Sequence, residues 1–117
     1  LKLAGLFDRA GVKMLAGSDT GGSGWEVPGF SLHQEFDLLE QAGISPLHVL
    51  QMTTINGAAF LDREASMGSV EVGKEANLVL LDANPIASVQ NLHAVHAVIR
   101  NGNYYSAGDL EELRDGN

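Results

Sequence analysis

The stretch Val12-Lys13-Met14-Leu15-Ala16-Gly17-Ser18-Asp19-Thr20-Gly21-Gly22-Ser23-Gly24 decides how this chain is read. Val12 to Ala16 is a short apolar run, the pattern of a buried strand. It passes at once into a glycine-rich loop, and Asp19 stands where strand gives way to loop. Glycine lets a backbone turn sharply and lets another molecule come close to it. A carboxylate at the C-terminal end of a strand in an α/β fold can bind a metal ion and accept a proton from water. An aspartate in a loop can equally close an Asx-turn that only stabilises the loop. Position alone does not choose between these roles.

Upstream, Leu1 to Ala10 reads as the end of a helix with Leu3, Leu6 and Phe7 on one side, and Gly11 suits its C-terminal stop. Downstream, a helix is expected from Ser31, where Ser31 and Gln34 have capping-box spacing. Leu32, Phe36 and Leu39 form its apolar stripe, and Gly43 ends it. A second helix is expected from Ser45-Pro46, since proline is tolerated in a first turn, with Leu47, Leu50, Thr54, Ala58 and Leu61 at near-helical spacing. Gly68 to Gly73 then reads as a strand and turn, Ala76 to Leu81 as an apolar strand covered on both faces, and Val95 to Arg100 as a further strand. Asn101-Gly102 is a type I′ hairpin signal, so Tyr104 and Tyr105 begin a return strand, and Asp109 to Arg114 fits a short last helix.

This order is α/β, but the single strand of the first half needs sheet partners that the chain does not hold, or another copy of the chain. The 117 residues suffice for one modest domain and fall well short of the roughly 250 of a (β/α)8 barrel. The chain opens at Leu1, inside what already reads as structure, so further sequence upstream is expected. A signal peptide would lie in that region and would leave no trace here. Apolar residues make up 44% and charged residues 19%, the balance of a folded soluble domain. Fifteen acidic residues against seven basic ones give a net charge of −8, which repels phosphate backbones and argues against nucleic acid as a partner. No apolar run reaches the ~18 residues needed to span a membrane. With no cysteine there is no disulfide, no thiolate metal site and no cysteine nucleophile.

Taken together, these segments resemble one family. Leu15-Ala16-Gly17-Ser18-Asp19-Thr20-Gly21 is similar to the eighth barrel strand and following loop of the amidohydrolase superfamily. Ser31 through Leu61, with Leu32-His33-Gln34-Glu35-Phe36 and Thr53-Thr54-Ile55-Asn56-Gly57-Ala58-Ala59-Phe60-Leu61, resembles its last two helices. Residues 68–82 resemble the strands returning to its small β-sandwich, and Val95 to Gly102 its closing hairpin. The resemblance covers nearly the whole chain in the right order and is greatest to the imidazolonepropionase- and prolidase-like branch.

The resemblance implies a fold: the C-terminal fragment of a TIM (β/α)8 barrel plus part of a small β-sandwich. Residues 1–61 would be the last β/α units of the barrel, 62–108 the β-sandwich portion and 109–117 a tail. It also implies a chemistry. In such enzymes a His-x-His pair on the first strand, a mid-barrel Lys or Glu and further histidines hold one or two divalent metals, Zn²⁺ being expected here. The strand-eight aspartate binds metal and takes the proton of the attacking water, whose pKa the metal lowers toward ~7. Asp19 is thereby implied as metal ligand and general base of a cytoplasmic hydrolase of carbon–nitrogen bonds in small molecules or dipeptides. The sequence departs from the family in having no His-x-His and in carrying Asn77 where Asp is usual. The remaining metal ligands are therefore expected outside the chain, and the fragment alone is expected to be inactive.

The other polar residues divide less sharply. His33 follows the loop in the first turn of a helix, where it can face substrate or simply solvent. Thr20, Ser18 and Ser23 can bond the carboxylate or substrate, or merely make the loop polar. His48 is expected in solvent. His93 and His96, three apart on an expected strand, would face opposite ways and share no metal. Trp25 and Phe30 suit either a lid or an anchor for the loop, and Gly73-Lys74 lacks phosphate-loop spacing. Asp19-Thr20-Gly21 also resembles the aspartic-protease motif, but two helices follow it where that fold is nearly all β. A non-enzymatic interaction or scaffold module is the alternative to the enzyme fragment. Unpaired strand edges predict homo-oligomerisation.

Overall fold

The structure, a computed structural model, describes residues 1–21 and 24–116. Helix α1 (Lys2–Arg9) leads into a segment without regular secondary structure, 12–16, and the 17–21 loop. Helices α2 (Phe30–Gln41), α3 (Pro46–Thr53) and α4 (Ile55–Phe60) follow. After an irregular stretch come strand β1 (Leu78–Leu81), a 3-10 helix (Val89–His93), strands β2 (Val95–Arg100) and β3 (Asn103–Ser106), and helix α5 (Ala107–Asp115). The sheet is antiparallel in the order β1-β2-β3, with a bulge between Leu80 and Leu81. Among the described residues no helix is long and apolar enough to cross a membrane.

The core lies between α2, α3 and the 3-10 helix, where Phe36, Leu39, Ile44, Val49, Met52 and Val89 are buried together. Leu32, Phe36 and Leu39 all turn into it, as their spacing predicts. Met14 and Ala16 pack against its edge, so the segment that leads to Asp19 rests on the core. Gly5 lets α1 approach the end of α2, because a Cβ there would lie 2.3 Å from the Ala42 carbonyl oxygen.

Several local expectations hold. Ser45 caps α3 by accepting the His48 N–H (3.3 Å), with Pro46 in the first turn. Asn101 and Gly102 both have positive φ (51° and 80°), the requirement of a type I′ turn, and they join β2 to β3. Asn77, the departure from the family pattern, accepts the Asn101 N–H at 2.9 Å and so ties the approach to β1 onto that hairpin. Helix α5 starts earlier than expected, capped by a reciprocal Ser106–Asp109 box, and packs against β3 and β2.

Other expectations fail for physical reasons. Residues 12–16 form no strand among the described residues, because no neighbouring strand is there to pair with them. Ser31 is not a cap: α2 starts at Phe30 with Gly29 before it, and the Ser31 hydroxyl instead accepts the Val27 N–H (2.8 Å). The helix expected through Leu61 breaks at Thr54, and its buried residues are Val49, Met52 and Ala58 rather than Leu47 and Leu61. Residues 68–73 form turns and no strand, with Val70 and Val72 in solvent. Strand β1 is an edge strand and is not covered on both faces, since Val79 and Leu80 are exposed.

Candidate functional site

Asp19 lies three residues beyond Ala16, in the exposed loop that follows the 12–16 segment. Its backbone is left-handed, φ 51°. Aspartate and asparagine enter that region more readily than branched residues do. The conformation therefore suits Asp19 in either of its expected roles and presents the carboxylate to solvent. Beside it, the Thr20 hydroxyl donates to Ser18 Oγ at 2.7 Å, so two side chains of the loop brace each other across Asp19. Ser23 lies outside the described residues.

The segment that delivers Asp19 is held by the α3–α4 junction. The Ala16 N–H donates to the Met52 carbonyl (3.3 Å), and Asn56 Nδ2 donates to the Met14 carbonyl (2.9 Å). Sequence reasoning missed Asn56, whose only signal was a polar residue inside an otherwise apolar helical repeat.

His33 lies elsewhere in the local packing. Its ring meets Phe36 edge-on (5.6 Å between centroids) and His93 at 4.8 Å. Its Nδ1 is buried and has no hydrogen-bond partner among the described residues. Burial holds the imidazole below its ordinary pKa, the nearby His93 adds to that shift, and Asp37 opposes it. Asp37 Oδ1 lies 3.1 Å from His93 Nε2 and accepts from Gln90 Nε2 at 2.6 Å. His93 ends the 3-10 helix and does not lie on a strand with His96, whose Nδ1 is 2.9 Å from Asp82. Different carboxylates engage the two rings. His48 is exposed as expected but has a partner: its Nδ1 lies 2.8 Å from Asp8, linking α3 to α1.

Among the described residues no three His, Asp or Glu side chains converge in a way that could hold a metal ion. Asp19 is an accessible carboxylate on a braced loop and belongs to no such group among the described residues. Trp25 is 89% exposed and Phe30 is exposed too, so neither anchors the loop by burial. Lys74 pairs with Glu71 at 3.2 Å. A cleft of about 470 Å³ opens between residues 8–14 and the α3–α4 region, lined by Asp8, Lys13, His48 and Asn56 among others. Asp19 does not line it.

The family model described as "Amidohydrolase family" matches residues 1–104. A 5'-deoxyadenosine deaminase from Methanobrevibacter smithii is 38% identical over 77 residues, covering 65% of this chain and 18% of the relative. An imidazolonepropionase from Alkaliphilus metalliredigens is 39% identical over 62 residues, covering 50% of this chain and 15% of the relative. A solved structure of a Xaa-Pro dipeptidase with methionine bound in its active site superposes with a TM-score of 0.79 at 30% identity, covering 90% of this chain and 25% of that one. The chain thus spans a quarter or less of the length of each of these proteins.

Proposed function

The chain belongs to the amidohydrolase family, and from that premise we propose that it is the C-terminal part of a metal-dependent hydrolase of carbon–nitrogen bonds, with Asp19 as a metal ligand and the general base. The observation that carries this reading is the placement of Asp19: an accessible carboxylate at the end of a segment that rests on the core. Residues 1–61 are assigned to the last β/α units of a (β/α)8 barrel, 62–108 to a β-sandwich portion and 109–117 to a tail.

When bound, a divalent ion such as Zn²⁺ would lower the pKa of water toward about 7 and polarise the substrate carbonyl. The Asp19 carboxylate accepts the proton that the attacking water gives up. The backbone at Gly17 and Gly21 leaves room for substrate beside it. Thr20 and His33 are the proposed substrate-side residues: Thr20 adjoins the base, and His33 follows the loop in the first turn of α2. The relatives named for a deaminase, an imidazolonepropionase and a dipeptidase support a small molecule or dipeptide as substrate. A cytoplasmic setting belongs to the same reading. Residues 1–117 alone are expected to hydrolyse nothing, because catalytic zinc normally takes three protein ligands and Asp19 is one.

The test is to assay the full-length protein on a lactam, an aminopurine nucleoside and a set of Xaa-Pro dipeptides, before and after chelation and again after Zn²⁺ is returned. The proposal expects hydrolysis of at least one substrate class, lost on chelation and restored by the metal. Turnover that persists after complete metal removal would contradict it. A protein that binds no metal and hydrolyses none of the panel would favour the interaction-module alternative.

A further inference from the structure

The α3–α4 junction has features that helix formation alone does not require. Thr53 and Thr54 each donate a hydroxyl back to a carbonyl one turn earlier, Val49 at 2.7 Å and Leu50 at 2.6 Å. Such back-bonding bends helices. The helix stops at Thr54, whose backbone (φ −122°, ψ −88°) is not helical, and restarts at Ile55. A break of this kind leaves carbonyls of the last turn without their usual N–H partner. The Met52 carbonyl is used by the Ala16 N–H (3.3 Å), and Asn56, two residues past the break, donates its side-chain amide to the Met14 carbonyl (2.9 Å).

Met14 and Ala16 are two apart, and the carbonyl of one and the N–H of the other both meet this junction. The junction therefore offers one acceptor and one donor to one edge of the segment, as a neighbouring strand would. A shift of the segment by one residue would turn both groups away and break both bonds. From the other side the junction is backed by Gly68, where a Cβ would stand 2.6 Å from Ala58 Cβ and 3.3 Å from the Thr54 carbonyl oxygen.

We propose that Asn56 is a positioning residue for Asp19: with the Met52 carbonyl it fixes the register of residues 14–16, and the register fixes where the Asp19 carboxylate stands. This rests on the assignment of Asp19 as a metal ligand. A metal ligand tolerates little displacement, and groups that orient ligands from behind typically change metal affinity about 10- to 100-fold when removed.

The experiment uses the full-length protein loaded with Co²⁺. It reads Co²⁺ affinity by competition with a chelating dye, the visible Co²⁺ spectrum and the melting temperature. Four variants are compared with the parent: Asn56→Asp, Asn56→Ala, Asp19→Asn and, as a purely structural control, Ala97→Gly in the buried centre of β2. Asn56→Asp sets an acceptor against the Met14 carbonyl; if it does not fold, Asn56→Ala carries the test by removing the donor alone. The expected result is Co²⁺ binding about tenfold weaker in the Asn56 variants, with an altered spectrum, as in Asp19→Asn. Ala97→Gly should lower the melting temperature and leave affinity and spectrum unchanged. Asn56 variants that bind Co²⁺ like the parent, while Asp19→Asn weakens binding, would overturn the positioning role and leave the metal assignment standing. An equal loss of affinity in Ala97→Gly would overturn it as well, since lost stability would then suffice. If Asp19→Asn itself leaves binding unchanged, the metal assignment fails and the positioning role fails with it.

Discussion

His33 brings an imidazole into apolar company, between Phe36 and a second imidazole, with a buried Nδ1 that has no hydrogen-bond partner among the described residues. Burial first, then His93, holds its pKa below the ordinary value of about 6.5, while Asp37 pulls the other way. The unfolded chain therefore binds the proton more readily than the folded one. The linked contribution to stability is complete above about pH 6.5 and declines as pH falls from there toward the folded value. Melting curves of the full-length protein between pH 8 and pH 5 should show this loss, and His33→Phe, which keeps a ring beside Phe36, should make the decline shallower. An unchanged slope in that variant would show that His33 is not the group responsible. None of this could be read from the sequence, where His33 was one polar residue in a first helical turn. Its partner His93 is 60 positions away and was expected on a strand. The loop position of Asp19 is legible because its signal is local, an apolar run ending in a glycine-rich stretch.

At the level of elements the same division holds. The α2 stripe, the Ser45 cap and the Asn101-Gly102 turn were readable because each depends on residues within a turn or two of one another. The strand pattern in 68–73 misled because alternation of Val70 and Val72 says nothing about whether a partner strand exists, and here both side chains are in solvent. The break at Thr54 was hidden because its cause, two threonine hydroxyls bonding back along the helix, competes with an otherwise helical spacing. Gly68 and Gly73 allow the packing against that break to be isolated. Both have φ +93°, but a Cβ at Gly68 meets Ala58 at 2.6 Å, whereas one at Gly73 meets nothing within 4 Å. Gly68→Ala and Gly73→Ala share the backbone strain, so their difference reports the clash. Denaturant unfolding should find Gly68→Ala the less stable by roughly 1–3 kcal/mol. Equal losses would mean that the 62–75 loop moves away from the junction at no cost.

For the whole molecule, one face of α2 joins the helical first half to the 3-10 helix that precedes β2. His33, Asp37 and Glu40 recur along α2 and engage His93, Gln90 and Val89 in turn, Glu40 Oε1 accepting the Val89 N–H at 3.4 Å. The accessible surface is 8029 Å², against roughly 6,100 Å² for a compact monomer of this mass. The radius of gyration is 15.0 Å, where a compact domain of this length gives about 13 Å. Leu3, Leu6, Phe7, Val12 and Leu15, in α1 and the 12–16 segment, are all exposed. An uncovered apolar face of this kind drives association. Residues 1–117 expressed alone should therefore scatter light as dimers or larger species, and a monodisperse monomer would show that this face needs no cover. Asp19 bears on the central claim more directly than any other residue. Asn accepts the same left-handed backbone, so Asp19→Asn removes the carboxylate's charge while keeping the loop's conformation. Turnover of a carbon–nitrogen substrate by the full-length protein carrying Asp19→Asn is the decisive measurement, with circular dichroism to check the fold. The expected result is a native spectrum with turnover abolished; a native spectrum with near-normal turnover would rule out Asp19 as the base.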